Sequence, residues 1–365
     1  MTNTDFSYKE CDQVGYQKLT FEEFAAQQQE NMPKARLFEL TLPWLIATKD
    51  FMLELTDELI VHCLFDAEYK LLIAWPLVHQ QVNKKIKSLT SFYSAIAEPI
   101  FFTKQNLVIS EQQLKQLLGF ITNENSWQTM QLGSFDENSA TSRAIFKYST
   151  ACKVFSKTDN FYQQKLANFE QYYQQRPSQL RNTITRRRKK LSKQHQYEIA
   201  IISKFTDFAS AFSAYKTIYQ QSWKGEEYSF AFIEQVCHAA LNENKLRLGL
   251  LIVDGEAVAA QIWFLQDCLS AEGQPEKNAS IFKLAYNPSH KDFSVGSILS
   301  LALSEYVIDQ DKVTSIEFGM GSESYKSDWL TDNRQRLSYQ IFNQSSFYGK
   351  LAAIRHIALP KLLGK

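Results

Sequence analysis

The sequence predicts an α/β protein built from two copies of one unit, and three observations carry that prediction. Strand-like and helix-like runs alternate along 365 residues, a length that suits about two domains. Two hairpin signals recur with one spacing: Asp66-Ala67-Glu68 precedes Trp75 and Asp254-Gly255-Glu256 precedes Trp263, each Trp nine residues after its Asp. Residues 281–329 then read as strand, small-residue loop, helix and parallel strand. In that arrangement free backbone N–H groups at a helix start meet an anion.

Residues 1–20 read as a loosely docked start. A helical pattern from Phe21 leads to a strand at 36–40, then to a helix near 44–55 whose apolar residues recur at helical spacing. Residues 59–77 read as a hairpin, and 86–102 as largely extended with an interruption at Pro99. The segment 161–191 reads as a connecting helix followed by a basic one. Arg181, Arg186, Arg187, Arg188, Lys189, Lys190 and Lys193 must surround most of that helix, so a solvated face is the default. A strand at 197–202, a helical stretch at 205–241 and a hairpin of 246–253 with 256–265 follow, the last turned by Asp254-Gly255. An irregular insertion at 270–278 precedes the strand 281–287. Beyond it come a loop, a helix at 298–307, a strand at 313–318, extended runs at 330–334 and 337–342, and an amphipathic C-terminal helix.

Bulk composition excludes several classes of function. Lys plus Arg number 40 against 39 acids, so no global field draws the chain to DNA. The five cysteines are widely spaced without a C-x-x-C pair, which argues against a disulfide framework or a zinc site and suits a reducing, cytoplasmic setting. No run of 18 apolar residues is present to span a bilayer. The tail 347–363 sets Leu351, Ile354, Ile357, Leu359 and Leu362 against Lys350, Arg355, His356 and Lys361. Such a helix either rests on a membrane surface or covers its own sheet. With Pro360 limiting its length the second is expected, and peripheral membrane contact is the alternative.

The second half resembles the GNAT acyltransferase superfamily, in the tandem-domain branch that holds CelD-like polysaccharide proteins and Fem-type peptidyl transferases. The resembling residues are Arg186-Arg187-Arg188-Lys189-Lys190-Leu191, Ser222-Trp223-Lys224, Leu246-Arg247-Leu248, Asp254-Gly255-Glu256-Ala257-Val258-Ala259, Ala285-Tyr286-Asn287, Ser294-Val295-Gly296-Ser297, and Glu317-Phe318-Gly319-Met320-Gly321-Ser322-Glu323-Ser324-Tyr325-Lys326. The resemblance implies two tandem GNAT-like domains with mixed, twisted sheets. Residues 1–165 would form a degenerate, noncatalytic copy, 166–195 a helical connector carrying the basic helix, and 196–365 the catalytic domain with the C-terminal helix. No glycine lies between Ser91 and Leu118, where the first copy would need its phosphate loop.

The resemblance also implies acyl transfer from acyl-coenzyme A, acetyl-coenzyme A above all, to an amine or hydroxyl of a cell-envelope glycan or peptide precursor. Aminoacyl-tRNA as donor and a noncatalytic binding module are the alternatives. The pantetheine would lie along Leu284, Ala285 and Tyr286, and the pyrophosphate would meet Ser294, Gly296 and Ser297. The usual phosphate loop, Arg or Gln, two spacers and Gly-x-Gly or Gly-x-Ala, is reduced here to Gly296 among small residues. Tyr325, Lys326 and Glu317 are the expected catalytic residues, as thiolate donor, cation and base in turn. Trp223, Lys224, Glu323 and Trp329 are expected to bind the acceptor. No metal is expected, and no G-x-S-x-G elbow points to a covalent nucleophile.

Overall fold

A computed structural model describes residues 7–9, 14–102, 107–124, 126–270 and 273–362. The chain divides into two compact units. Unit 1 holds Met1–Pro33, Glu39–Asp159 and Arg334–Lys365; unit 2 holds Lys34–Phe38 and Asn160–Asn333.

The first part of the chain forms β1 (Ser7–Lys9), β2 (Val14–Thr20), α1 (Phe21–Gln28), α2 (Leu42–Met52), β3 (Asp57–Phe65), β4 (Leu71–Gln80), β5 (Lys85–Ser88), β6 (Ile100–Phe101), α3 (Leu107–Thr122), β7 (Thr129–Asp136), α4 (Ala140–Tyr148) and β8 (Cys152–Gln163). The second part forms α5 (Phe169–Gln174), α6 (Ser178–Gln194), β9 (Tyr197–Ile202), α7 (Phe205–Gln221), α8 (Phe230–Asn242), β10 (Leu246–Val253), β11 (Glu256–Leu269) and β12 (Pro275–Tyr286). It continues with α9 (Val295–Asp309), β13 (Ser315–Met320), α10 (Tyr325–Trp329), β14 (Asp332–Phe342), α11 (Phe347–Ala353) and α12 (Leu359–Leu362).

The duplication is visible in topology. Unit 1 runs β2, α1, α2, β3, β4, β5, α3, β7; unit 2 runs β9, α7, α8, β10, β11, β12, α9, β13. Each is an antiparallel meander whose last strand takes a parallel partner after a helical crossover: β5 with β7, and β12 with β13. The echoed tryptophans, Trp75 and Trp263, are both buried on the middle strand of their meander.

Strand alternation sorts each core into two layers. In unit 1, Val61, Cys63, Ala74 and Val78 pack with Phe21, Phe24, Leu42 and Leu45 of α1 and α2. Ile73, Trp75 and Leu77 point the other way, toward Leu114, Leu117, Ala144 and Ile145 of α3 and α4. In unit 2, Trp263, Ala279, Ile281, Ile316 and Phe318 meet Ile298, Leu299 and Leu303 of α9 and Ile184 and Leu191 of α6. Helices α7 and α8 lie against β10, β11 and β12.

Several expectations are corrected. The run 334–365, expected with the second domain, lies in unit 1 because β14 pairs along β7 from Arg336↔Asp136 to Phe342↔Thr129. The segment 166–195, expected as a separate connector, enters the core of unit 2 through Tyr172, Ile184 and Leu191. The expected strand at 36–40 is instead a short 3-10 turn, Phe38–Leu40, with Leu37 and Phe38 buried. The helical stretch 205–241 is two helices broken at 222–229, and the helix expected at 298–307 begins at Val295.

Of the start at 1–20, residues 1–6 and 10–13 (Cys11 among them) lie outside the described residues, while β2 pairs with β3 along its length. Residues 271 and 272 of the insertion also lie outside them, and β12 has begun by Pro275. The C-terminal helix does not bury its apolar side chains under the sheet: Phe347, Leu351, Ile354, Leu359 and Leu362 are exposed.

Candidate active site

Strands β12 and β13 pair only from Asn278↔Ser315 to Ile281↔Phe318. Beyond that point β12 continues to Tyr286 with β11 on its other edge, through Ala259↔Tyr286. Residues 284–286 therefore extend past the last residue that pairs with β13. A bulge sits at the parting point: Lys283 opposes Ile262 and Ile281 opposes Trp263, leaving Phe282 extra. A bulge bends its strand and resets the alternation. Ile281 belongs to the core under α9, whereas Lys283 reaches the α7 side, its ammonium 5.6 Å from the ring centres of Tyr219 and Phe282.

At the far end of this stretch lies the start of α9. Ser294 adopts a left-handed conformation (φ 54°) and its hydroxyl makes no capping bond. The first backbone bond of the helix runs from the Ile298 N–H to the Ser294 carbonyl. The N–H groups of Val295, Gly296 and Ser297 consequently point out of the first turn, as in an anion nest. A Cβ on Gly296 would stand 3.2 Å from the Tyr286 ring, so glycine lets the helix start close onto the strand. Gln261 fastens the junction from below: its amide donates to the Gly296 carbonyl (3.0 Å) and Ser300 Oγ (2.7 Å), and its oxygen accepts from Trp263 Nε1 (2.9 Å).

Charges collect on the α7 side. The Glu227 carboxylate is buried and takes both contacts of the Lys283 ammonium, at 2.8 and 3.0 Å. Burial pulls the Lys224 amine down to about 8, helped by the positive charges of Lys283 and Lys326 and opposed by Glu227 and Glu323. Burial, then the charge of Glu323, pushes the Tyr325 hydroxyl up to about 12, so it keeps its proton at neutral pH.

Lys326 is buried beneath the end of β13. Its ammonium donates to the Met320 carbonyl (2.8 Å) and reaches those of Gly319 (3.3 Å) and Gly321 (3.4 Å), with Glu323 at 2.9 Å. An ammonium has three hydrogens, so these partners engage all of them. Gly321 (φ 127°) makes room, since a Cβ there would fall 2.9 Å from Lys326 Nζ.

The structure thus brings together Lys224, Glu323 and Lys326 in one charge cluster, with Tyr325 beside Glu323. It also joins Trp223 to Tyr286, whose ring centres are 4.5 Å apart, and Tyr286 to Gly296. Leu284 and Ala285 lie on the stretch of β12 beyond its pairing with β13, and Ser294 and Ser297 flank Gly296 at the helix start. Two expected residues stand apart. Trp329 is buried in the core under α9, with its carbonyl held by Tyr172 and Arg176. Glu317 is buried inside the paired part of the sheet, opposite Ser280 and Tyr162 and one residue short of the parting point. Sequence reasoning missed Glu227 and Lys283. The bulge that turns Lys283 toward Glu227 leaves no signature in a run such as Ser280-Ile281-Phe282-Lys283-Leu284.

A strand edge that outlasts its parallel partner thus leads to a helix start without a side-chain cap. In this chain, residues 178–327 match the family model of the acetyltransferase (GNAT) domain. Its fold is similar to that of FemX (10% identity over 95% of this chain and 100% of that one, TM-score 0.55). It is similar also to L-PGS from Bacillus licheniformis (10% identity, 95% and 98% covered, TM-score 0.51). A third similar fold is a conserved protein of unknown function from Bacteroides thetaiotaomicron VPI-5482 (12% identity, 88% and 98% covered, TM-score 0.52). At such identities the likeness is one of fold. No curated protein matches the chain.

Proposed function

We propose that unit 2 transfers an acyl group from acyl-coenzyme A, with acetyl-coenzyme A the simplest donor, to an amine or hydroxyl of a cell-envelope or polysaccharide precursor in the cytoplasm. The observation that carries this reading is the parting of β12 and β13 after Ile281↔Phe318, in line with the open first turn of α9. A pantetheine amide can bond the backbone of residues 284–286 while the diphosphate meets the N–H groups of 295–297.

In the reaction the acceptor nitrogen or oxygen attacks the thioester carbonyl carbon. The new bond forms, the tetrahedral oxyanion collapses, and the carbon–sulfur bond breaks. The deprotonated form of Lys224 takes the acceptor proton, the Tyr325 hydroxyl gives its own to the departing thiolate, and exchange with solvent restores both. Glu323, exposed at the mouth, attracts a cationic acceptor. Lys326 is a positioning residue that fixes the turn after β13, and Glu317 is left as a buried side chain behind the slot.

A second reading, aminoacyl-tRNA as donor, is favoured by one observation. The basic helix α6 lies along the loop before α9, with Arg187 donating to the Asp292 carbonyl and the Lys190 ammonium 4.8 Å from the Phe293 ring centre. Calorimetry with coenzyme A and with tRNA separates the readings. The proposal expects coenzyme A binding that Gly296→Val abolishes and tRNA binding that is absent. Binding of tRNA alone favours the second reading, and binding of neither leaves a noncatalytic module. Undiminished coenzyme A binding by Gly296→Val puts the donor elsewhere.

A further inference from the structure

The C-terminal helix of unit 1 presents an apolar stripe that the fold does not cover. Phe347 is 75% exposed, Leu351 54% and Leu362 81%, with Tyr348, Ile354 and Leu359 also exposed. These residues stay on one face because the helix changes pitch midway. Residues Phe347–Ala353 are α-helical, Ile354–Ala358 form a π turn, and Leu359–Leu362 return to α. Spacings of four, three, five and three link Phe347, Leu351, Ile354, Leu359 and Leu362, and the five falls across the π turn, where one turn takes an extra residue. Pro360 accounts for the change of pitch, since it has no N–H to give the carbonyl four residues back. The opposite side is anchored: His356 stacks on Phe342, and Gly349 packs so close to the Asn343 carbonyl that no Cβ would fit.

Charge identifies the occupant. From residue 333 to 365 the chain contains no Asp or Glu, and the exposed Lys350 and Arg355 accompany the stripe. Pairing two copies of this helix would bring like charges together, whereas an anionic surface neutralises them. We propose that residues 347–362 dock unit 1 on an anionic lipid bilayer, with Phe347, Leu351, Ile354, Leu359 and Leu362 entering the acyl boundary and the cations meeting lipid headgroups. The proposal is independent of the acyl-transfer reading, since it uses none of the slot residues.

The test is co-sedimentation of the full chain with vesicles of phosphatidylglycerol mixed with phosphatidylcholine, and with vesicles of phosphatidylcholine alone. The chain should pellet with the anionic vesicles, less at high salt, and remain in solution with the neutral ones. Lys350→Gln and Arg355→Gln should each weaken binding about fivefold. Leu351→Glu with Ile354→Glu should abolish it, while the exposed position of both residues keeps the melting temperature unchanged. Phe347→Trp should add emission that shifts to the blue on anionic vesicles. A chain that stays in solution with every vesicle overturns the proposal. So does sedimentation velocity showing a vesicle-independent dimer that the double glutamate variant dissolves, because the stripe would then belong to a second copy.

Discussion

The two copies in this chain diverge at the point where the parallel strands part. In unit 2, β12 and β13 separate after Ile281↔Phe318 and β12 runs on to Tyr286 without pairing to β13. In unit 1, β5 and β7 are paired from Lys85↔Thr129 to Lys87↔Gln131, and the chain then fills the corresponding opening itself. The loop 89–99 buries Leu89, Tyr93, Ala95 and Ile96. The Ala97 N–H donates to the Ser134 carbonyl (2.8 Å), and the Gly133 N–H donates to Ser88 Oγ (3.1 Å). The Glu39 carboxylate accepts from the Ala95 and Ile96 N–H groups at 2.8 and 3.2 Å. Diverging strands expose backbone groups that must be satisfied. Unit 1 satisfies them from its own loop, and in the proposed function a ligand does so in unit 2.

The comparison can be broken at several places, in decreasing order of expected effect. Lys283→Ala takes the ammonium from the buried Glu227 carboxylate, which keeps the Tyr228 N–H and the Tyr215 hydroxyl, and should cost about 3 kcal/mol in urea unfolding. Pairing it with Glu227→Leu should recover most of the loss. If the single variant were as stable as the parent, the bulge at Phe282 would not be holding a buried ion pair.

Gly296→Val forces α9 off Tyr286 and should weaken coenzyme A binding by roughly a hundredfold, about 3 kcal/mol, with stability nearly unchanged. Glu39→Ala should do the reverse. Two N–H groups lose their acceptor, stability falls by about 1–3 kcal/mol, and coenzyme A affinity stays as it was. A loss of affinity in Glu39→Ala would tie unit 1 to the donor.

Lys224→Met should raise stability at pH 7 by about 1–2 kcal/mol after allowance for solvent screening. The sign follows from linkage. The folded amine titrates at about 8 and the unfolded one near 10.5. Between those values the unfolded chain binds the extra proton, so the parent gains stability as pH rises through that window. The Met variant should lack that gain, and its acyl transfer should lose the rise in rate centred near pH 8.

Much of this architecture was legible in residues 246–296. The Asp254-Gly255 turn, the echoed Trp75 and Trp263, and Gly296 after small residues each follow from local chemistry, and each stands where such residues would place it. What was not legible depends on partners distant in sequence. Nothing in Leu337 to Phe342 says that β14 pairs with β7 of the first unit, because its alternation fits any sheet edge. The role of loop 89–99 was hidden for the same reason, since its apolar residues read as an extended run until Glu39 and Ser134 are seen to hold it. Lys326 shows a subtler limit. The sequence places it correctly after β13, but only the geometry shows its ammonium engaged with backbone carbonyls and Glu323.

The central claim is that the donor slot belongs to unit 2 and is closed in unit 1. Amide hydrogen exchange of the full chain, read by mass spectrometry with and without coenzyme A, tests it most directly. The account predicts that coenzyme A slows exchange in peptides covering 282–286 and 295–298 and leaves 89–97 and 131–134 unchanged. Protection of 89–97 or 131–134, with 282–286 unaffected, would contradict it.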